Sequence, residues 1–317
     1  MRIVVTRRIP EAAVETLRQA GEVWMSDADR ALEPGELAEA VDGAAAIVSM
    51  IHDRIDGSVA DAAGPGLCVV ANVAVGYDNV DVAALAERGV LVTNTPGVLT
   101  DATADLAFGL LLALTRRIAE GDRLLRARRP WSFHLGFMLG SGLRGKTLGI
   151  IGLGQIGQAM AWRAKAFGMQ IVYSGRSRSA AEAELGARFV AQEELLTTAD
   201  VVSLHCPLTP ETRHLIDSAA LSAMKPSAVL VNTTRGPVVD EGALADALTR
   251  GEIAGAALDV FEREPEVEPR LLELDTVVLT PHLGSATVET RTAMAQLAAR
   301  NVAAVLGGEV PPNPVRQ

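Results

Sequence analysis

Residues 147–167 read TLGIIGLGQIGQAMAWRAKAF, and the fold turns on them. An apolar strand-like run, Thr147 to Ile151, leads into Gly152-Leu153-Gly154-Gln155-Ile156-Gly157, and a helix-like stretch from Gln155 to Phe167 follows. Glycine-rich turns are common, so this GxGxxG pattern carries weight only between a strand and a helix, which is where it stands. Gly152 makes the tight turn, Gly154 lets a pyrophosphate approach the backbone, and Gly157 lets helix and strand pack closely. The open N–H groups at the helix start, Gln155 and Ile156 among them, add positive potential for the anion. The stretch reads as the first βα turn of a dinucleotide-binding domain. A tight turn without a ligand is the bland reading.

Outward from it, short β-branched runs alternate with amphipathic ones. Downstream of Thr147–Gly152 come Gln170–Ser174, Asp200–Leu204, Ala228–Asn232, Ala256–Phe261 and Thr276–Thr280, which predicts a six-stranded cofactor sheet. Upstream lie the buried-type helix Asp101–Arg117 and the strand candidates Ile3–Thr6, Ala45–Met50, Cys68–Val73 and Leu91–Thr93, with a weaker one at Val23–Met25. Helix-like stretches such as Glu11–Ala20, Pro34–Val41 and Val82–Arg88 separate them. This alternation predicts the α/β class with two doubly wound parallel-sheet domains, a Rossmann cofactor domain inserted into a flavodoxin-like substrate domain. The expected ranges are 1–99 plus 285–317 for the substrate domain and 100–284 for the cofactor domain. The helix near Val288–Leu306 has no strand after it, so it is expected to return to the first domain.

Composition agrees with a globular chain of this kind. The 317 residues are 49% hydrophobic and 21% charged, which excludes disorder as the main state. The net charge of −10 argues against nucleic acid or an anionic membrane as partner. The two cysteines, Cys68 and Cys206, make no disulfide framework and no metal spacing, so no metal is expected. The first residues lack the apolar run of a signal peptide, and a cytoplasmic protein is expected.

The strand after the glycine turn discriminates between cofactors. An NAD site carries an acidic residue there for the ribose 2′-OH. None occurs from Gly152 to Ala181, and the strand ends Ser174-Gly175-Arg176-Ser177-Arg178. Guanidinium binds a 2′-phosphate bidentately, so NADP(H) is the expected cofactor, with NAD(H) possible. Arg176 and Ser177 are the main contacts, and Ser174 and Arg178 stand beside them.

Three later segments end strands of the same sheet: Asn232-Thr233-Thr234-Arg235, Asp259-Val-Phe-Glu262-Arg-Glu264-Pro265 and Thr280-Pro281-His282-Leu-Gly284. They supply a cation, a carboxylate and an imidazole. That set suits reduction of a 2-keto acid, in which an Arg holds the carboxylate and polarises the carbonyl while a protonated His donates to the developing alkoxide. A carboxylate beside the His stabilises imidazolium. Singly, each has a structural reading: Arg235 a loop ion pair, Glu264 a surface charge, His282 a helix-entry cap.

Together with Asn72-Val-Ala-Val75-Gly76-Tyr-Asp-Asn-Val-Asp81, Thr95–Asp105, Ser203-Leu-His-Cys-Pro207 and Pro281–Ala286, these motifs cover essentially the whole chain. The chain resembles the D-isomer-specific 2-hydroxyacid dehydrogenases, most closely the glyoxylate/hydroxypyruvate reductase branch. The resemblance implies Arg235, Glu264 and His282 as the catalytic set, and substrate carboxylate binding by the amides of Val75 and Gly76. It implies cofactor contacts from Thr103, from His205, Cys206 and Pro207 with Thr212, from Thr233 and Thr234, and from Asp259, His282 and Gly284. It also implies a homodimer in which an aromatic, Trp131 or Phe133, reaches the neighbouring subunit's site. His52 departs from the family pattern, and a substrate contact and a solvated loop are both open for it. His214 reads as structural. The implied substrates are glyoxylate and hydroxypyruvate, reduced to glycolate and D-glycerate. A 2-ketogluconate reductase, a D-lactate dehydrogenase and a dinucleotide-sensing co-repressor are the alternatives.

Overall fold

The computed structural model describes residues 1–28 and 30–315. They divide into two units, Met1–Leu99 with Ala286–Gln317, and Thr100–Ser285.

In the first unit, β1 (Arg2–Val5), β2 (Glu22–Met25), β3 (Ala44–Ser49), β4 (Val69–Asn72) and β5 (Leu91–Thr93) form one parallel sheet in the order β2-β1-β3-β4-β5. That is the flavodoxin-like order, whose switch point lies between β1 and β3. Central strands such as Ala44–Ser49 and Val69–Asn72 are buried on both faces, which is why they read as continuous apolar runs rather than alternating ones. Helix α1 (Glu11–Ala20) turns Ala13, Val14 and Leu17 inward at helical spacing. The last helix, Val288–Leu306, packs against α1, β3 and β4, and Thr287 caps its first turn. The tail then adds to the sheet edge, with Val315 donating its N–H to the Val92 carbonyl.

The second unit opens with α5 (Thr100–Thr115) and α6 (Ile118–Arg126). Its parallel sheet holds β6 (Thr147–Ile151), β7 (Gln170–Ser174), β8 (Ala187–Phe189), β9 (Val201–Leu204), β10 (Val229–Asn232), β11 (Gly255–Leu258) and β12 (Val277–Leu279). The order is β12-β11-β10-β9-β6-β7-β8. Counted from β6, it is the Rossmann arrangement, with the chain reversing direction across the sheet between β6 and β9. Leu195, Leu204, Leu230 and Leu244 fill one face, and Leu111, Ile150, Met160 and Tyr173 the other.

The sheet has seven strands, where the sequence pattern predicts six. The additional strand, β8, is three residues long and buries Ala187 while exposing Arg188, so it shows no periodicity. It pairs with β7 at the edge, where the Arg188–Glu194 ion pair puts charge on a strand that would otherwise invite a partner.

Candidate active site

Because every strand of the second unit is parallel, the loops leaving their C-terminal ends gather along one edge of its sheet. The glycine turn is the first. Gly152 has φ +95°, and a Cβ there would meet the backbone nitrogen of Cys206 at 2.7 Å. A Cβ on Gly157 would lie 2.3 Å from the Gly152 carbonyl oxygen, so α7 (Gln155–Ala166) sits on β6 at a distance only glycine permits. At Gly154 the same construction meets nothing within 4 Å. The turn therefore has two crowded glycines and one that faces open space, where a ligand passes close to backbone. Leu153 is buried, and its carbonyl accepts from Gln158 Nε2 at 3.1 Å.

Ser174 is buried, and its carbonyl accepts the Gly152 N–H at 2.9 Å. The loop beyond it is exposed. Arg178 is held by Glu182 at 3.0 Å and stacks over Phe189, while the Tyr173 hydroxyl donates to Glu182 and accepts the Ser179 N–H. Arg176 and Ser177 face solvent. The Arg176 charge reaches Glu211, whose carboxyl is held below its ordinary range by the Thr209 hydroxyl first and by Arg176 to a smaller extent.

After β9, the ring of His205 is buried. Its Nε2 lies 2.8 Å from Ser203 Oγ, and its Nδ1 has no hydrogen-bond partner among the described residues. Burial pushes the imidazole down to about 4 and the neighbouring Cys206 thiol up to about 11, so both are neutral in ordinary conditions. Thr212 turns its hydroxyl back to the Pro207 carbonyl at 2.7 Å and accepts the Thr209 N–H, which shapes the loop from within.

After β10, Asn232 builds an Asx turn. Its Oδ1 accepts the N–H and hydroxyl of Thr234 at 3.0 and 2.9 Å, and its Nδ2 donates to the Arg235 carbonyl at 3.0 Å. Thr233 Oγ1 is buried with no partner among the described residues. Orphaned polar atoms on two neighbouring strand ends, beside an open glycine, fit a nicotinamide dinucleotide. The residues that would hold it are Gly154 with the first turn of α7, Arg176, His205 and Thr233.

Asp259 follows β11 and is 1% exposed. Its Oδ1 accepts from the Thr280 hydroxyl and the Leu283 N–H at 2.6 and 2.7 Å, and its Oδ2 accepts the Gly284 N–H at 2.8 Å. Burial raises its pKa above the carboxylate norm, partly offset by these donors. Asp259 thus shapes the turn that carries His282. His282 itself has φ +54°, held by its N–H donating to the Asp259 carbonyl at 2.8 Å. Thr103 on α5 packs beside Gly284.

His282 Nδ1 lies 2.9 Å from Glu264 Oε2, with both side chains mostly buried. The other Glu264 oxygen accepts the Phe261 N–H at 3.0 Å, so the carboxylate is fixed at both ends. Arg235 donates Nη1 to the Thr234 carbonyl at 2.9 Å. The Arg235 turn touches the Glu264 loop at Gly236, where a Cβ would overlap the Phe261 carbonyl. His214, also at positive φ, lies 2.7 Å from Glu262. Asn232 stands in a segment that the sequence marks, though without a role of its own there, and Glu241 carries no sequence mark. Asn-Thr-Thr-Arg has the form of an Asx turn and was the available signal for the first.

In the first unit, β3 leads to His52, an exposed residue on a turn whose buried Asp53 accepts the Met50 N–H at 2.7 Å. After β4, the carbonyls of Val75 and Gly76 accept from Asn94 and Asn72 at 2.8 and 3.0 Å. Their own N–H groups have no partner among the described residues, which leaves an adjacent pair of donors suited to a carboxylate. In the second unit Trp131 stacks on Phe137, and Phe133 is 80% exposed.

This fold and this set of strand-end groups define an NAD(P)-dependent oxidoreductase. Residues 108–284 match the model of the D-isomer specific 2-hydroxyacid dehydrogenase NAD-binding domain. The chain is 49% identical to a glyoxylate reductase of Thermococcus litoralis, over all of this chain and 97% of that one. A Thermus thermophilus structure superposes with TM-score 0.94 at 48% identity, covering all of both chains. An NADPH-dependent glyoxylate/hydroxypyruvate reductase of Sinorhizobium meliloti, solved with NADP and malonate, gives TM-score 0.86 at 38% identity over 99% of this chain and 96% of that one. The chain belongs to the D-isomer-specific 2-hydroxyacid dehydrogenases, on their glyoxylate reductase branch.

Proposed function

We propose that the protein reduces small 2-keto acids, glyoxylate and hydroxypyruvate, to glycolate and D-glycerate with NADPH. The observation that carries the reading is the His282–Glu264 pair at 2.9 Å, on the two strand ends next in the sheet to the one that carries Arg235. A bound nicotinamide supplies the hydride. Arg235 neutralises the substrate carboxylate and polarises the carbonyl. With Nδ1 engaged by Glu264, His282 gives its proton from Nε2 to the carbonyl oxygen as alkoxide charge develops. The carboxylate keeps the imidazolium in place and stabilises its charge. The amides of Val75 and Gly76 bind the substrate carboxylate, and His52 meets the substrate.

The preference for NADPH is supported by the exposed Arg176-Ser177 loop and the lack of an acidic residue at the end of β7. A homodimer is supported by a run of exposed apolar side chains, Trp131, Phe133, Leu135 and Leu139, with Ile118 and Leu125 on α6. In it, Trp131 or Phe133 reaches the partner's site. The domain ranges 1–99 plus 285–317 and 100–284 are proposed as the substrate and cofactor domains. Among the described residues no helix is long and apolar enough to cross a membrane.

The test is steady-state oxidation of NADPH and NADH with glyoxylate, hydroxypyruvate, pyruvate and 2-ketogluconate, alongside His282→Ala. Fast NADPH-dependent turnover of the first two, lost in the variant while NADPH still binds, is the expected result. Near-normal turnover in the variant removes His282 as the donor. No turnover with any of these acids, despite tight cofactor binding, returns the sensor reading or points to a substrate outside this set.

A further inference from the structure

Glu241 opens helix α11 (Glu241–Arg250), directly after the short 3₁₀ turn Gly236–Val238 that follows Arg235. It is 7% exposed, an unusual burial for a carboxylate at the start of a helix. Asp240 already caps that helix by accepting the Ala243 N–H at 2.9 Å, so capping does not account for it. Its two oxygens are used elsewhere. Oε1 accepts the N–H of Glu262, and Oε2 accepts the N–H of Glu268 at 3.3 Å. In return, Glu262 Oε2 accepts the Glu241 N–H at 3.4 Å. Glu262 and Glu268 stand on either side of Glu264. The stretch between them turns back on itself, with the Glu266 N–H donating to the Arg263 carbonyl at 2.9 Å.

We propose that Glu241 is a positioning residue for proton donation: one buried carboxylate clamps both ends of the loop that holds Glu264 against His282. The clamp also registers that loop on the Arg235 turn, because Gly236 and Glu241 both meet the Phe261–Glu262 peptide. Burying a charge among two other carboxylates costs stability unless its hydrogen bonds repay it. A chain needing only a folded loop is better served by an apolar residue there. The group is placed where a displacement of the loop changes the 2.9 Å separation of Glu264 and His282. This inference rests on the proposed roles of those two residues.

The experiment compares Glu241→Gln and Glu241→Ala with Ala245→Gly, a variant of a buried apolar position one turn further along the same helix, which has no side-chain hydrogen bond to lose. Glutamine keeps the shape but sets an NH₂ against one of the two peptide N–H groups, so one clamp is lost. Glu241→Gln is expected to lower kcat with glyoxylate about fivefold and Glu241→Ala about thirtyfold, with KM and the NADPH Kd within about twofold of wild type. The solvent deuterium isotope effect on kcat should grow in both, because proton donation becomes more limiting. Ala245→Gly, costing about 1 kcal/mol of helix stability, should lower the unfolding midpoint and leave kcat and the isotope effect alone. Unchanged kcat in both Glu241 variants overturns the inference. So does a fall in kcat accompanied by matching losses in KM and cofactor Kd, or by an unchanged isotope effect. If Glu241→Ala does not fold, Glu241→Gln decides alone. His282→Ala in the same assay keeps the two readings apart: retained turnover there defeats the donor assignment, whereas loss there with indifferent Glu241 variants defeats only the clamp.

Discussion

At the end of β7, two arginines with one residue between them have different fates. Arg178 is tied to Glu182 and stacked on Phe189, so its guanidinium is occupied by the loop. Arg176 is exposed at the tip, and the nearby acidic charge it senses belongs to Glu211 across the sheet edge. The proposed 2′-phosphate contact is therefore assigned to Arg176. Arg176→Ala is expected to weaken NADPH at least about tenfold, which is about 1.4 kcal/mol, and NADH less than about twofold. Titration of each dinucleotide into the variant measures this. Equal losses sink the assignment, and a loss only in Arg178→Ala transfers the role. Sequence alone could name the pair Arg176-Ser177 from the missing acidic residue. It ranked Arg178 behind them but could not give the reason, because Glu182 is a helical turn further along and Phe189 lies on a strand with no periodic signal. The pairing of Glu264 with His282 was legible as a chemical set. What was not legible is how each is held: Glu264 accepts the backbone N–H of Phe261, which any residue carries, while the Asp259 and Glu241 carboxylates grip backbone N–H groups that no sequence pattern marks.

At the scale of the element, the strand–turn–helix from β6 to α7 separates folding from binding within three glycines. Gly157 is a packing glycine, where an added methyl meets the Gly152 carbonyl oxygen. Gly154 has φ −75°, which an alanine adopts without strain, and open space beyond its Cβ. Gly157→Ala should cost about 1–3 kcal/mol, as overpacking does, read as a lower midpoint in urea. Gly154→Ala should leave that midpoint within about 0.5 kcal/mol of wild type but weaken NADPH and NADH together, at least about tenfold, because the methyl stands where the ligand must pass. If Gly154→Ala binds either dinucleotide like wild type, the ligand does not cross this turn. Most elements with strong apolar runs were legible to within a residue or two; α1 spans Glu11–Ala20 as its pattern reads, and Val23–Met25 lies within the observed β2, whereas the run Ala256–Phe261 continues three residues past the end of β11 at Leu258. The missed strand β8 buries too little to leave a pattern. The short α3 (Gly57–Ala63) depends on the Asp56 side chain accepting the Ser58 N–H, a local bond that no apolar spacing announces.

For the molecule as a whole, the dependence of stability on pH carries a contribution from a histidine at the sheet edge. Burial holds the His205 imidazole at about 4, against 6.5 for an ordinary histidine. The unfolded chain therefore takes up this proton first as pH falls. The folded state is favoured by the neutral ring above 6.5, and that advantage is lost between 6.5 and 4, where only the unfolded form is protonated. The gap corresponds to about 3 kcal/mol at most, a sizeable part of the marginal stability of any domain. Glu241 and Asp259 have raised values and act in the opposite sense, since their burial favours protonation in the folded state and so favours that state as pH falls. The test is denaturant unfolding of wild type and His205→Gln without cofactor at steps from pH 7.5 to 4. Glutamine can still reach Ser203 but does not titrate in this range. Wild type should lose about 2–3 kcal/mol more than the variant across the interval, with the divergence beginning near 6.5. Parallel curves would mean that water reaches the ring and that its buried Nδ1 is not a constraint on folding. Convergence of the curves on adding saturating NADPH would show, in addition, that the ligand binds over the same ring.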